Sequence, residues 1–174
     1  MRTVELVLDD TLDATVRDLW RMLHVAGLRS LATHTHPSNR PHITLAVAAS
    51  LETLPPVRLP VPVRLGPVRM LGRALVRDAD SPRLRELQAE VWRALDAENP
   101  LHTPDVWAPH VSLALNMPET QRAGALALLT GIPAISGEAV GVRSYDTETR
   151  TVTDQGDFPA VRGRGRPPTA TQIP

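Results

Sequence analysis

Residues 41–47 read Pro-His-Ile-Thr-Leu-Ala-Val, and residues 109–115 read Pro-His-Val-Ser-Leu-Ala-Leu. Each segment begins with alternating polar and apolar residues, which predicts a β-strand with one face directed into a core. Side chains two residues apart in a strand lie on the same face. We therefore expect His42 and Thr44 to point together, and likewise His110 and Ser112.

A strand and a helix are predicted before each copy of the motif. Residues 6–9 read Leu-Val-Leu-Asp and residues 75–78 read Leu-Val-Arg-Asp, and each run is followed by apolar residues at helical spacing. A repeated strand–helix–motif order indicates an internal duplication. We therefore predict an α+β fold of two pseudo-symmetric lobes. Each lobe is an antiparallel sheet with a packed helix, and the duplicated strand-helix-strand units face a central cleft.

Turn residues and periodicity predict the other elements. The first helix is capped by Asp10 or Thr11 and stops at Gly27, and the second begins with Ser81 and Pro82. The predicted elements are a strand over 4–8, the first helix, a loop over 33–41, a strand over 42–48, two or three short strands between 57 and 77, the second helix, a strand over 110–115, a third helix from 118 to 131, and a hairpin of 140–145 and 150–153.

Composition limits the classes of protein to consider. The chain has 174 residues, 42% of them hydrophobic, which suffices for one domain without disulfides or metal. We predict that this domain covers residues 1–160 and that residues 161–174, rich in Arg, Gly and Pro, form a disordered tail. The absence of cysteine excludes thiolate chemistry. Zero net charge argues against bulk coating of nucleic acid, and no apolar run reaches the about 18 residues of a membrane span. A cytoplasmic location is expected.

The paired motifs carry the residue types of acid–base catalysis. Imidazole titrates near neutral pH, so one of two facing histidines is able to start as a base and the other as an acid. Cleavage of a phosphodiester needs both roles, and hydroxyl groups are suited to donate hydrogen bonds to the nonbridging oxygens. One His-x-Thr motif in a strand says little, but two motifs after matching elements favour an active site. The scheme needs no cofactor.

These motifs resemble the paired His-x-Thr/Ser signatures of the 2H phosphoesterases, in particular the bacterial 2′-5′ RNA ligase-like and cyclic phosphodiesterase branch. The likeness covers about residues 2–155. It implies a two-lobed α+β fold and metal-independent hydrolysis of 2′,3′-cyclic phosphates or related phosphodiesters on RNA ends or nucleotides, with 2′-5′ ligation in the reverse direction left open. It makes His42 and His110 the acid/base pair and Thr44 and Ser112 the phosphate ligands. By analogy with the family, His110 is the base and His42 the acid.

Four further residues are candidates for binding substrate. Arg40 and His36 lie in the loop that enters the first motif strand, and Arg40 directly precedes the motif proline. Tyr145 ends a predicted strand near the cleft. Trp107 closely precedes the second motif, and stacking on a base and anchoring in the core are both open for it.

Two other functions compete with this hydrolase. The first is a nucleotide or RNA 3′-end binding module with little catalysis, which would not need two groups that titrate near neutral pH. The second is a metal-dependent hydrolase that uses His34, His36 and His42, although no carboxylate stands at a clear ligand spacing. We expect no metal site, no membrane partner and a monomeric protein.

Overall fold

A computed structural model describes residues 1–36, 39–95, 97 and 99–154, so the tail predicted at 161–174 lies outside the described residues. Within these residues the sheet contains seven strands and is packed by three α-helices. None of the described helices is long and apolar enough to cross a membrane. In chain order the elements are β1 (Arg2–Leu8), α1 (Asp10–Val25), β2 (His42–Ala48), β3 (Val61–Leu71), β4 (Ala74–Asp80), α2 (Pro82–Ala94), β5 (His110–Ala114), α3 (Glu119–Leu128), β6 (Ile135–Asp146) and β7 (Thr151–Asp154).

The strands form one antiparallel sheet in the order β2-β1-β6-β3-β4-β5, with β7 paired to β6. The predicted α+β class with antiparallel strands is confirmed. The long strand β6 joins the two halves of the sheet, because its first part pairs with β3 and its second part pairs with β1. The internal symmetry of the halves stays a prediction.

The two motif strands lie at opposite ends of the strand order, yet they come together in space. Cα atoms of β2 and β5 approach within 8 Å of one another. The indole N–H of Trp20 donates to the Ser112 carbonyl at 3.0 Å, and that of Trp107 donates to the Thr44 carbonyl at 3.2 Å. Each edge strand therefore has a carbonyl satisfied by a side chain from the other half of the chain, which links the edges across the cleft.

The first helix begins one or two residues earlier than predicted. Its N-cap is Asp9, whose Oδ1 accepts the Leu12 N–H at 2.8 Å, so the prediction of Asp10 or Thr11 as cap is wrong. Asp9 also accepts the Glu138 N–H through Oδ2 at 2.6 Å, and this contact explains the early start because it ties the helix entrance to β6. The predicted stop is confirmed, since Gly27 has φ +71 just after the helix.

The region between 57 and 77 also differs from the prediction of two or three short strands. Residues 61–71 form the single strand β3, and residues 57–59 form no strand. The Gly66-Pro67 pair, which reads as a break, is accommodated as a shift of register between Leu65 and Val68. A bulge of this kind bends a strand without ending it.

The second helix agrees with the sequence prediction. Ser81 is its N-cap, with its hydroxyl oxygen accepting the Leu84 N–H at 3.1 Å, and Pro82 is the first helical residue. The apolar face of the helix is buried, and it packs on the motif strand β2. The first helix likewise contacts β5, so each helix lies against the motif strand of the other half.

Candidate active site

A cavity of about 420 Å³ opens between the two motif strands. Its walls come from β1, β2, β5, β6, the end of α1 and the loop before β2. Residues from both motifs contribute to these walls, so the fold brings the two copies of the motif to one cavity. The wall residues are Thr3, Glu5, Trp20, Leu31, His34, His36, Asn39, Arg40, Pro41, His42, Thr44, Ser112, Leu115, Arg143, Tyr145 and Thr147.

Both motif histidines are held in the same way. The Nδ1 atom of His42 lies 2.7 Å from the Arg40 carbonyl oxygen, and that of His110 lies 2.7 Å from the Ala108 carbonyl oxygen. A carbonyl oxygen only accepts hydrogen bonds, so each Nδ1 carries the proton and donates it. Nε2 is then the atom of each ring that remains to accept or release a proton.

His110 differs from His42 in its electrostatic surroundings. Burial lowers the pKa of His110, and the nearby charges of Arg69 and His42 lower it further, while the hydrogen bond to Ala108 and the charge of Asp78 act in the opposite direction. His110 is therefore held neutral at neutral pH, the state a general base requires. It is half-buried beside the wall residue Ser112 rather than in the cavity wall itself.

The motif hydroxyls also face the cavity. Thr44 and Ser112 are half-buried wall residues, and neither hydroxyl is hydrogen-bonded to another described residue. The backbone beneath each hydroxyl is fixed by the tryptophan contact already described. The cavity wall thus contains Thr44, Ser112 and His42, and His110 lies two residues before Ser112 on β5. Hydroxyl groups and imidazole rings are the groups that bind nonbridging oxygens and move protons.

Three of the four secondary candidates line the cavity. Arg40, His36 and Tyr145 are wall residues, as is His34. The Arg40 guanidinium is anchored at 3.1 Å from Asp13 on α1, so its position at the cavity is fixed by an ion pair. Among the described residues no group of three or more His, Asp or Glu side chains is gathered to hold a metal ion.

Trp107 does not lie where substrate stacking requires it. Its side chain is only 5% exposed, it belongs to the main core, and its indole N–H is used by Thr44. We therefore correct the expectation that Trp107 binds substrate. Of the two roles considered for it, the structure supports an anchor of the core. Stacking fails because the ring is enclosed on the core side of the motif strand.

The sequence reasoning missed a buried ion pair in the cavity wall. The Glu5 carboxylate accepts from Arg143 Nε at 2.7 Å, and the two residues are paired across β1 and β6. Glu5 also lies 3.6 Å from His42 Nε2 through its Oε1. A charged residue among the apolar residues of a strand usually marks the side that faces solvent. The sequence pattern therefore gave no sign that this side of the sheet lines a cavity.

A second carboxylate–arginine pair, also missed, lies near His110. Asp78 pairs with His110 across β4 and β5, and its Oδ1 accepts from Arg69 Nε at 2.6 Å. His102 is another neighbour that the sequence did not single out. Its pKa is lowered by burial and by the charge of His110. The neighbours of His42 thus come from the distant strands β1 and β6, and those of His110 come from β3, β4 and the segment just before β5.

Comparison with known proteins identifies the family of this chain. A family model described as the 2′-5′ RNA ligase superfamily matches residues 9–146, which include both motifs and most of the chain. No curated protein matched the chain. Membership of this superfamily supports an enzyme of the phosphoesterase or ligase type. The resemblance that the two motifs suggested is confirmed, and the chain belongs to the 2′-5′ RNA ligase superfamily.

Proposed function

We propose that this protein is a metal-independent phosphodiesterase that hydrolyses 2′,3′-cyclic phosphates on RNA ends or nucleotides. The observation that carries the proposal is the matched pair of histidines, each with Nδ1 tied to a backbone carbonyl at 2.7 Å and Nε2 left for proton transfer. The motif hydroxyls Thr44 and Ser112 in the same cavity wall provide donors for a phosphate.

In the proposed reaction His110 is the base and His42 is the acid. Nε2 of His110 removes a proton from water while the water oxygen forms a bond to phosphorus. The bond from phosphorus to the leaving ribose oxygen breaks, and that oxygen receives the proton from Nε2 of His42. Thr44 and Ser112 donate hydrogen bonds to the nonbridging oxygens, where negative charge increases. Proton exchange with solvent restores both rings.

The assignment of roles rests on the surroundings of His110. Burial lowers the pKa of His110, which favours the neutral ring of a base. Joining of RNA ends through a 2′-5′ bond would use the same groups in the same roles, with a 5′-hydroxyl in place of water as the nucleophile and the ribose 3′-oxygen as the leaving group.

The proposed substrate class follows from the size and lining of the cavity. A volume of about 420 Å³ is in the range of small-molecule sites, which supports a nucleotide or the terminal residue of an RNA. Arg40, His36 and Tyr145 in the wall are proposed to contact it. We also propose that the protein acts as a monomer in the cytoplasm, where such RNA ends and nucleotides occur.

The direct test is to incubate the purified protein with the four nucleoside 2′,3′-cyclic monophosphates and a cyclic-phosphate-ended oligoribonucleotide, each with and without a chelator. We expect hydrolysis of at least one substrate at a rate that the chelator leaves unchanged. Loss of activity with the chelator, restored by a divalent metal, would overturn the metal-free mechanism. Binding of these compounds without turnover would instead identify a binding module.

A further inference from the structure

The proposed reaction leaves the ion pair of Glu5 and Arg143 without a role. Both side chains are nearly inaccessible, 4% exposed for Glu5 and 7% for Arg143, and they lie 2.7 Å apart. Thr3 also donates to Glu5 Oε1 at 2.8 Å. A buried ion pair generally adds little stability over apolar residues of the same size, because removing both charges from water is costly. Its position beside a catalytic candidate points to a different use.

Both members of the pair approach the ring of His42, Glu5 at Nε2 and Arg143 at Nδ1. Glu5 Oε1 is 3.6 Å from Nε2, and Arg143 Nη2 is 3.1 Å from Nδ1. A guanidinium is only a donor, and Nδ1 already donates to the Arg40 carbonyl at 2.7 Å, so the approach of Arg143 to Nδ1 is a charge contact. The positive charge of Arg143 opposes the protonated ring, and the negative charge of Glu5 supports it.

Other charged or titratable groups also face His42. His110 of β5 lies close enough for the charge of His42 to lower its pKa, and the charge of Arg40 in the preceding loop is paired with Asp13 of α1. His34 and His36 of the same loop, and Tyr145 of β6, line the same cavity. Against these groups stands the Glu5 carboxylate, 3.6 Å from His42 Nε2, and the ion pair with Arg143 holds it there.

The pair near His110 is built differently. Asp78 and Arg69 are 31% and 39% exposed in their side chains, so water screens their charges more strongly than those of Glu5 and Arg143. The buried pair therefore acts on His42 in a less polar environment, where a charge has a larger effect. The ion pair beside His42 should therefore act on its ring more strongly than the pair near His110 acts on that ring.

We propose that Glu5 is a positioning residue that keeps His42 protonated as the acid by balancing the charge of Arg143 beside the ring. This inference rests on the proposed function for its use in catalysis. The effect on the ring itself does not depend on any substrate. Glu5 alone stabilises the imidazolium, Arg143 alone destabilises it, and the pair together leaves His42 able to hold and release its proton.

The test is a cycle of the variants Glu5→Gln, Arg143→Met and the double variant. The imidazolium fraction of His42 at pH 7 is measured from imidazole ¹⁵N chemical shifts, and the pH dependence of kcat is measured with the best cyclic phosphate. In Glu5→Gln the unbalanced Arg143 should reduce the imidazolium fraction severalfold and move the basic limb of the profile to lower pH by about one unit or more. Because the acid must be protonated, activity is lost as the pH rises through this limb.

Arg143→Met should raise the imidazolium fraction of His42 and move the basic limb of the kcat profile to higher pH. The double variant should return both values towards those of the original protein. Glu90→Gln, which breaks the exposed pair with Arg83 at 3.0 Å, is the matched control and should change neither. Circular dichroism establishes that each variant is folded. If Glu5→Gln does not fold, the opposite shift in Arg143→Met supports the proposal, and the absence of a shift there overturns it.

A folded Glu5→Gln variant with an unchanged imidazolium fraction would overturn the proposal. An equal shift of the imidazolium fraction in Glu5→Gln and in the double variant would also overturn the proposal, because Arg143 would then have no effect on the ring. The ¹⁵N measurement needs no turnover, so it separates this inference from the proposed function. A changed imidazolium fraction in a protein that hydrolyses no phosphodiester would support the electrostatic role of Glu5 and contradict the hydrolase.

Discussion

Replacement of either motif histidine should nearly abolish turnover. We expect His42→Ala and His110→Ala each to lower kcat/KM for the best cyclic phosphate by about 10²- to 10⁴-fold, because each variant loses one of the two proton transfers. Both rings are half-buried and are held by a carbonyl of their own loop, so the loss of either should leave the fold intact. Steady-state kinetics, with thermal unfolding measured in parallel, checks the result.

His24→Ala is the matched control for this experiment. His24 lies in the last turn of α1, is exposed and is not a wall residue of the cavity, so its removal should leave kcat/KM unchanged. A folded His42→Ala or His110→Ala protein with nearly full activity would show that the two-histidine mechanism is wrong. Full activity in both variants would show that the active site lies elsewhere in the protein.

Replacement of Trp107 should cost stability rather than base recognition. Trp107→Ala removes a large core side chain and is expected to lower the free energy of unfolding by about 3–5 kcal/mol. Trp107→Phe keeps an apolar ring but leaves the Thr44 carbonyl without its indole donor, which should cost about 1 kcal/mol. Urea unfolding monitored by circular dichroism measures both values.

The same variants decide between the two interpretations of this tryptophan. A core anchor predicts that Trp107→Phe keeps the order of preference among the four cyclic nucleotides. A stacking residue predicts an altered preference with little loss of stability, and that outcome would contradict the buried position of the ring. Trp92→Phe makes the same exchange on α2. It is the control for the loss of stability that replacing a tryptophan by phenylalanine causes by itself.

The sequence predicted those parts of the fold that depend on local signals. The strand over His42–Ala48, the Ser81 cap and the stop at Gly27 follow from alternation, a capping hydroxyl and a glycine with positive φ. The unbroken strand β3 was missed because Gly-Pro reads locally as a turn. Only the pairing of β3 with β4 and β6 makes it a bulge within one strand.

The candidate site was likewise predictable only where it depends on local sequence patterns. Both motifs are local patterns, and their repetition indicated that His42 and His110 act together. Glu5 and Arg143 were missed because they meet through strand pairing between the two ends of the chain. Trp107 was ambiguous because the sequence places it near the second motif but does not tell which face of the motif strand it packs against.

The central claim is that His110 and His42 act as base and acid on a phosphodiester, and the identity of the leaving group tests it most directly. The rates of His42→Ala and His110→Ala are compared on a 2′,3′-cyclic nucleotide and on a nucleoside p-nitrophenyl phosphodiester. Nitrophenolate leaves without needing a proton, so the activated substrate should restore most of the rate lost in His42→Ala and little of that lost in His110→Ala. Equal losses in both variants on both substrates would contradict this division of roles.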